Sequence, residues 1–461
     1  MKLASTLPLA VGAALGAAGV LDALAAGWEV VNVALSTCGV GCLAGWAVMS
    51  HRGRARAGLV IVSVLGALAG VELTIRALSL EGWVSEPYVP EASQTFHHNY
   101  RPGDRFVRRP TPPDDFEPVE NVINSLGMRG AESDVDRAQV MLIGDSFIQA
   151  DEVEYEKTIG RVLERRLQAT GDQVVSHGMG SWAPVLEWNW YLKVGRRFQP
   201  RVVFLFVFHN DVDPGYDKLS DPYYLRQATF GPDGRPERFD IGAPASPAHR
   251  ALRRLRMAIF WRLARERLRG ALLAIEADQG RAGPNRERPG LRSEEVDILL
   301  DAPQEVFERQ LAALGLAPAT EGFWRLQRPL HLWPPQLLRN VELSEPVLRR
   351  FSEDVRADGG RLVLVFVPMG FQVGPSECSA ARAMYGLAPD AQVRPRSGLQ
   401  QWLEATARRH DIPWLDPTEG LRSAGLDAGT PSYLSYDCHW SERGHARMAE
   451  ILAEWLETAG A

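Results

Sequence analysis

The 461-residue chain is 45% hydrophobic and 23% charged, which excludes a disordered chain and a disulfide-built scaffold. Its formal net charge of −6 gives no footing for a nucleic-acid partner. The four cysteines, at 38, 42, 378 and 438, lack zinc-type spacing, and no metal or organic cofactor is expected.

The first 80 residues read as a transmembrane region. Leu3 to Leu21 and Val30 to Met49 are uncharged runs of about bilayer-spanning length. A third run starts at Gly58 and stays uncharged to Val71. Glu72 and Arg76 follow it, spaced to pair on one helix face near the interface. The expected helices cover about 3–26, 29–49 and 58–79, and make the lipid bilayer a partner. Cys38 and Cys42 fall inside the second run as small apolar side chains. Lys2 precedes the first run, and Arg52, Arg54 and Arg56 separate the second from the third. The link near Asp22 and Glu29 has no basic residue, so the positive-inside rule puts the Arg loop in the cytoplasm. Three crossings then leave the rest of the chain on the periplasmic or extracytoplasmic side of the cell (inner) membrane. A competing reading makes the first run a cleaved signal peptide, with Ala23-Leu24-Ala25 as the cleavage site. It too sends the large domain outside the cytoplasm.

Residues 81–135 are rich in Pro, Asp, Glu and Arg and read as a linker or irregular lead-in. A domain over 136–461 follows. Val140-Met141-Leu142-Ile143 is a short apolar run ending in Gly144-Asp145-Ser146, with a helical stretch from about Glu156 to Leu167. Val174-Val175 starts a second run that ends in Gly178 and Gly180. Arg201 to Phe208 is strongly strand-like, Leu362 to Val367 repeats its character, and Ile412 to Leu415 is a brief fifth candidate. A last helix is expected from Ser441 to about Leu456. Continuous apolar strands between amphipathic helices predict an α/β fold with a parallel sheet covered on both faces. Ligands bind such sheets at the strands' carboxyl ends.

A helical insertion over about 215–355 separates the third strand from the fourth. It includes an Arg-rich stretch, Arg250 to Arg269, with an apolar stripe at Leu252, Leu255, Ile259 and Leu263. This stretch reads as a packed helix with a solvated basic face. The sharper alternative is contact with anionic lipid headgroups or an anionic glycan. Cys378 and Cys438 could pair in an oxidising compartment, but the reading favours free thiols.

Three of the strand ends carry chemistry. Ser146 follows a strand and precedes a helix-forming region, so it is a candidate nucleophile near helix amides. Asp437 and His439 stand two apart before the last helix, a spacing that lets the carboxylate orient an imidazole facing a serine. His445 is a second candidate base, expected instead to pack in the first helical turn. Asn210 follows the strongest strand and could donate to an oxyanion, as could backbone amides at Gly178-Met179-Gly180-Ser181 and that of Ser146 itself.

Together these residues resemble the SGNH/GDSL hydrolase superfamily. Its four blocks map in order onto Ser146, the Gly180 region, Asn210, and Asp437 with His439. The resemblance covers about residues 121–211 and 360–456. It includes Asn124-Ser125-Leu126-Gly127-Met128-Arg129-Gly130, similar to the lead-in of membrane-anchored bacterial members. It implies a three-layer α/β/α sandwich with a five-stranded parallel sheet, and a Ser146–His439–Asp437 triad. The oxyanion would be held by Ser146, Gly180 and Asn210. Three departures stand out. Asp lies two residues before His instead of three, with Tyr436 in the other position. The glycine block reads Gly-Met-Gly-Ser, and Phe208 replaces a glycine two residues before Asn210.

Asp-x-His also occurs in relatives that O-acetylate exopolysaccharides such as alginate. The expectation is therefore an extracytoplasmic serine esterase acting on acyl, chiefly acetyl, esters of a cell-envelope glycan or lipid-linked substrate. One alternative is an O-acetyltransferase using the same serine with an acyl-donor membrane protein as partner. Another is a non-catalytic glycan-binding protein on the same fold.

Overall fold

The computed structural model describes residues 91–110, 114–132, 138–213, 219–241, 290–426 and 430–459. Expectations for residues 1–80 and for the Arg-rich stretch 250–269 lie outside these. Among the described residues no helix is long and apolar enough to cross a membrane.

The lead-in is more ordered than its polar composition suggested. It forms two hairpins, β1 (Glu91–Ser93) with β2 (His97–Asn99) and β3 (Arg105–Arg108) with β4 (Val119–Val122). Both belong to the same compact unit as the sheet that follows. Between β4 and that sheet, Asn124 folds the Asn-Ser-Leu-Gly-Met-Arg-Gly stretch into a turn. Its Oδ1 accepts from the amides of Leu126 and Met128, each at 3.0 Å. Gly127 takes the left-handed backbone (φ 74) that the turn requires.

All five apolar runs become strands of one parallel sheet: β5 (Ala138–Gly144), β6 (Gln173–Gly178), β7 (Val202–Val207), β10 (Arg361–Phe366) and β11 (Trp414–Leu415). β8 (Ala228–Phe230) and β9 (Pro236–Phe239) form a separate hairpin. The sheet order is β11-β10-β7-β5-β6. Counted along the chain this is the 2-1-3-4-5 order of doubly wound sheets, whose topological switch point lies between the first and third strands.

Alternate residues of each strand face opposite layers, which is why the runs are apolar throughout. On one face Val140, Leu142, Phe204, Phe206, Val363 and Val365 pack with Ile159, Leu163, Trp440, Met448 and Leu452. These partners lie on or beside the helices Ile159–Arg166 and Glu442–Thr458. On the other face Met141, Ile143, Val203, Leu205, Leu362 and Leu364 pack with Trp188, Tyr191, Leu348, Phe351 and Leu403. Those come from the helices Pro184–Lys193, Glu345–Ala357 and Gly398–Arg409. The three-layer α/β/α architecture follows from that alternation. Phe307, Phe323 and Trp324 of the insertion are buried in the first of these cores, so part of the insertion is integral to the domain.

Candidate active site

The end of β5 places Ser146 at the switch point. Asp145 caps the four-residue helix Ser146–Gln149, and its Oδ1 accepts from the Phe147 amide at 3.0 Å. β5 and β6 run in register to Gly144 and Gly178, bringing the second strand's end beside this helix. A methyl group at Gly178 would strike the backbone of Asp145, Ile148 and Gln149, so only glycine lets strand and helix meet there. Burial pushes the Asp145 carboxyl up to about 6.

Ser146 and His439 meet although 293 residues separate them. Their Oγ and Nε2 atoms are 2.8 Å apart, the geometry in which a hydroxyl donates to a neutral imidazole. The imidazole also packs edge-on against Phe147, with ring centroids 5.1 Å apart. Its other nitrogen, Nδ1, lies between two carboxylates, 3.4 Å from Asp437 Oδ2 and 3.4 Å from Glu152 Oε1. It points straight at neither. Arg108 closes the cluster, its Nη2 at 2.9 Å from both of those oxygens.

Burial opposes the His439 imidazolium, but the Asp437 and Glu152 charges outweigh it and hold its pKa well above the ordinary histidine value. Burial likewise opposes the Glu152 carboxylate, yet His439 and Arg108 hold that group well below the usual range. Glu152, Asp437 and His439 bring ligand-type atoms within 4.8 Å of one another. The guanidinium of Arg108 already supplies the positive charge those two carboxylates need, so the cluster fits base positioning better than cation binding.

The loop carrying Asp437 and His439 is pinned from several sides. At its base Leu434 N donates to His439 O at 2.8 Å, and Ser441 N to Ser432 O at 2.9 Å. Buried Asp114 accepts from the amides of Tyr436 and Asp437 at 2.7 and 2.8 Å. Cys438, in left-handed backbone at φ 61, tightens the turn between acid and base. It is bonded to Cys378, contrary to the expectation of free thiols. The cause is the segment after β10, which folds back against this loop. The amides of Ala380 and Ala381 donate to Ser435 O, and Tyr433 N donates to Glu377 Oε2, leaving the two cysteine Cα atoms 5.1 Å apart.

The candidate oxyanion donors are differently placed. The amide of Ser146 has no hydrogen-bond partner among the described residues. Asn210 is the second residue of the short helix His209–Val212 after β7, and its half-buried side chain likewise has no partner among them. The Gly180 amide is engaged, donating to Gln149 Oε1 at 2.6 Å, while Gln149 Nε2 donates to Tyr100 at 2.7 Å. Gly180 still borders the nucleophile, since a methyl group there would lie 3.9 Å from Ser146 Cβ. Phe208 packs against Phe147, centroids 4.7 Å apart. His445 is buried in the last helix, where its Nδ1 accepts from the Ile159 amide at 3.4 Å. Burial drives its pKa down to about 3 and keeps it neutral, so it packs as expected and does not face the serine.

Sequence reasoning missed Glu152, Arg108, Asp114 and Arg129. Arg129, buried, donates to the carbonyls of Ala150 and Val153, and Asn121 donates to Asp151 O at 3.1 Å. Together they fix the segment that follows the nucleophile helix and carries Glu152. The one available signal was position: Glu152 is six residues after Ser146, at the same strand end.

No family model and no curated protein matches the sequence. Among solved structures, the chain is similar to a lipase/acylhydrolase from Enterococcus faecalis. The identity is 11%, covering 70% of this chain and 96% of that one, with a TM-score of 0.31. It is also similar to a catalytic mutant of Axe2, an acetylxylan esterase from Geobacillus stearothermophilus. Here the identity is 12%, covering 69% and 94% of the two chains, with a TM-score of 0.31.

Proposed function

We propose that the chain is an SGNH-type serine esterase acting on acyl esters outside the cytoplasm, with acetylated envelope glycans or lipid-linked substrates as the substrate class. The observation that carries this reading is the 2.8 Å approach of His439 Nε2 to Ser146 Oγ. Carboxylates behind the imidazole, the unengaged Ser146 amide and the unengaged Asn210 side chain after the neighbouring strand support it.

In this reaction Ser146 Oγ attacks the acyl carbonyl while His439 Nε2 takes its proton. The carboxylates stabilise the imidazolium as it forms. Negative charge developing on the carbonyl oxygen is met by the Ser146 amide and the Asn210 side chain. His439 then protonates the leaving alkoxide, and the acyl group rests on Ser146 as an ester. Water activated by the same histidine releases the acid and restores the serine. An acceptor hydroxyl arriving in place of water would make the same cycle an O-acyl transfer, a second reading favoured by the Asp-x-His spacing. A disulfide at Cys378–Cys438 accords with an oxidising compartment.

The test is labelling of the full-length chain with a fluorophosphonate. An adduct on Ser146 is expected, lost in Ser146→Ala and slowed by about 10³-fold or more in His439→Ala. A chain that never labels at Ser146 would sink the proposal. Release of acetate from an acetylated glycan, compared with acetate transfer to a deacetylated one, separates hydrolysis from transfer.

A further inference from the structure

Two carboxylates lie equally far from His439 Nδ1, and a three-residue relay has use for one. We propose that Glu152, and not Asp437 alone, is the principal positioning residue for His439, making the relay a four-residue arrangement in which Arg108 shares its charge between both acids. This deepens the esterase reading and rests on it.

Three observations carry the assignment. First, burial: the Glu152 side chain is 3% exposed and that of Asp437 29%. At equal distance both charges favour the imidazolium, Asp437 at least as strongly as Glu152, but the carboxylate with less water around it is the one whose position the protein fixes. Second, rigidity: Glu152 sits in a segment whose backbone carbonyls at 150, 151 and 153 are bonded to Arg129 and Asn121. That segment continues directly from the helix bearing Ser146, so nucleophile and acid share one scaffold. Third, compensation: a buried carboxylate without counter-charges is strongly disfavoured. The groups facing Glu152 are Arg108 at 2.9 Å and His439 at 3.4 Å, with the charge of Arg129 and the neutral His445 also acting on it and Asp151 adjacent in the chain. Burial and Glu152 together push the Asp151 carboxyl upward, toward its neutral form. The ionised acid of the adjacent pair is then the one facing the histidine.

The experiment is the rate of fluorophosphonate labelling and of p-nitrophenyl acetate hydrolysis, against pH, in the full-length protein. Glu152→Gln is expected to slow both by about 10³–10⁴-fold, the scale of losing an orienting carboxylate. Its acidic limb should move to lower pH, because a charge that raises the His439 pKa has gone. Asp437→Asn should cost about tenfold or less, the scale of a solvent-exposed charge, and should also move the limb to lower pH, since its charge too raises the His439 pKa. Arg108→Ala should move the limb the other way, since both carboxylates would then act on the imidazole unopposed. A merely structural Glu152 would lower the amount of active protein without moving the limb.

Wild-type labelling at Ser146 with Glu152→Gln unchanged in rate and pH profile would overturn this inference and leave the esterase reading standing. Failure of the wild type to label would overturn the esterase reading itself, and the inference with it. Should Glu152→Gln not fold, Glu152→Asp keeps the charge while shortening its reach. A slowed rate with an acidic limb near the wild-type position supports the inference, and a wild-type rate overturns it.

Discussion

His439 has to be neutral to accept the serine proton, yet two carboxylates favour its charged form. The structure therefore sets activity against ionisation. Esterase kcat/KM is expected to be low at pH 6 and to rise with pH beyond neutrality, as the imidazolium gives up its proton. Stability should run the other way. A folded-state pKa above the unfolded value of about 6.5 stabilises the fold fully below that value. This contribution is lost as pH rises from about 6.5 through the higher folded-state pKa. Urea titrations of the wild type and His439→Ala across that window check it. The wild type should lose its advantage toward alkaline pH, and a constant difference would contradict the assignment. Ser146, His439, Asp437 and Asn210 were legible as residues because each follows or precedes a recognisable element. Glu152 and Arg108 were not, because their meaning exists only after folding: Arg108 lies 329 residues from Asp437. No spacing rule reaches that far.

At the scale of elements, the site depends on how closely the end of β6 approaches the helix Ser146–Gln149. Gly178 has no side chain where a Cβ would meet three backbone groups of that helix region. Backbone yields less readily than a flexible side chain. Gly178→Ala should therefore displace the nucleophile helix and cost about 1–3 kcal/mol, the usual scale of overpacking. The measurement is paired: a urea midpoint for stability, and labelling of Ser146 for geometry. An alanine variant with both values unchanged would mean that the strand end has slack. The five parallel strands were readable because apolar, β-branched and aromatic runs leave few alternatives to a doubly covered sheet. β1 to β4 were not. They have three or four residues each, and Arg105–Arg108 alternates exposed and half-buried positions within a charged sequence. Their strand character comes from pairing and from docking, not from local propensity.

For the molecule as a whole, the Cys378–Cys438 bond would join the proposed chemistry to the compartment in which the chain folds. One sulfur belongs to the residue between Asp437 and His439, and the other to the segment after β10, 60 residues earlier in the chain. Closing a loop of that length removes chain entropy from the unfolded state worth about 4 kcal/mol in the loop-closure account. The same bond restrains the one residue whose left-handed backbone sets the turn between acid and base. Loss of the bond should thus reduce both stability and turnover, and the two losses should appear together. Full-length protein treated with dithiothreitol, or carrying Cys378→Ser, is expected to unfold at lower urea and to label more slowly at Ser146. Alkylation of trapped thiols adds the location. If the domain is extracytoplasmic as proposed, Cys378 and Cys438 should be protected in chains from cells, whereas a form retained in a reducing cytoplasm should show both reactive. Protected cysteines in chains kept in that cytoplasm would remove the support this bond gives to an extracytoplasmic catalytic domain, while leaving the serine, the histidine and their carboxylates where they stand.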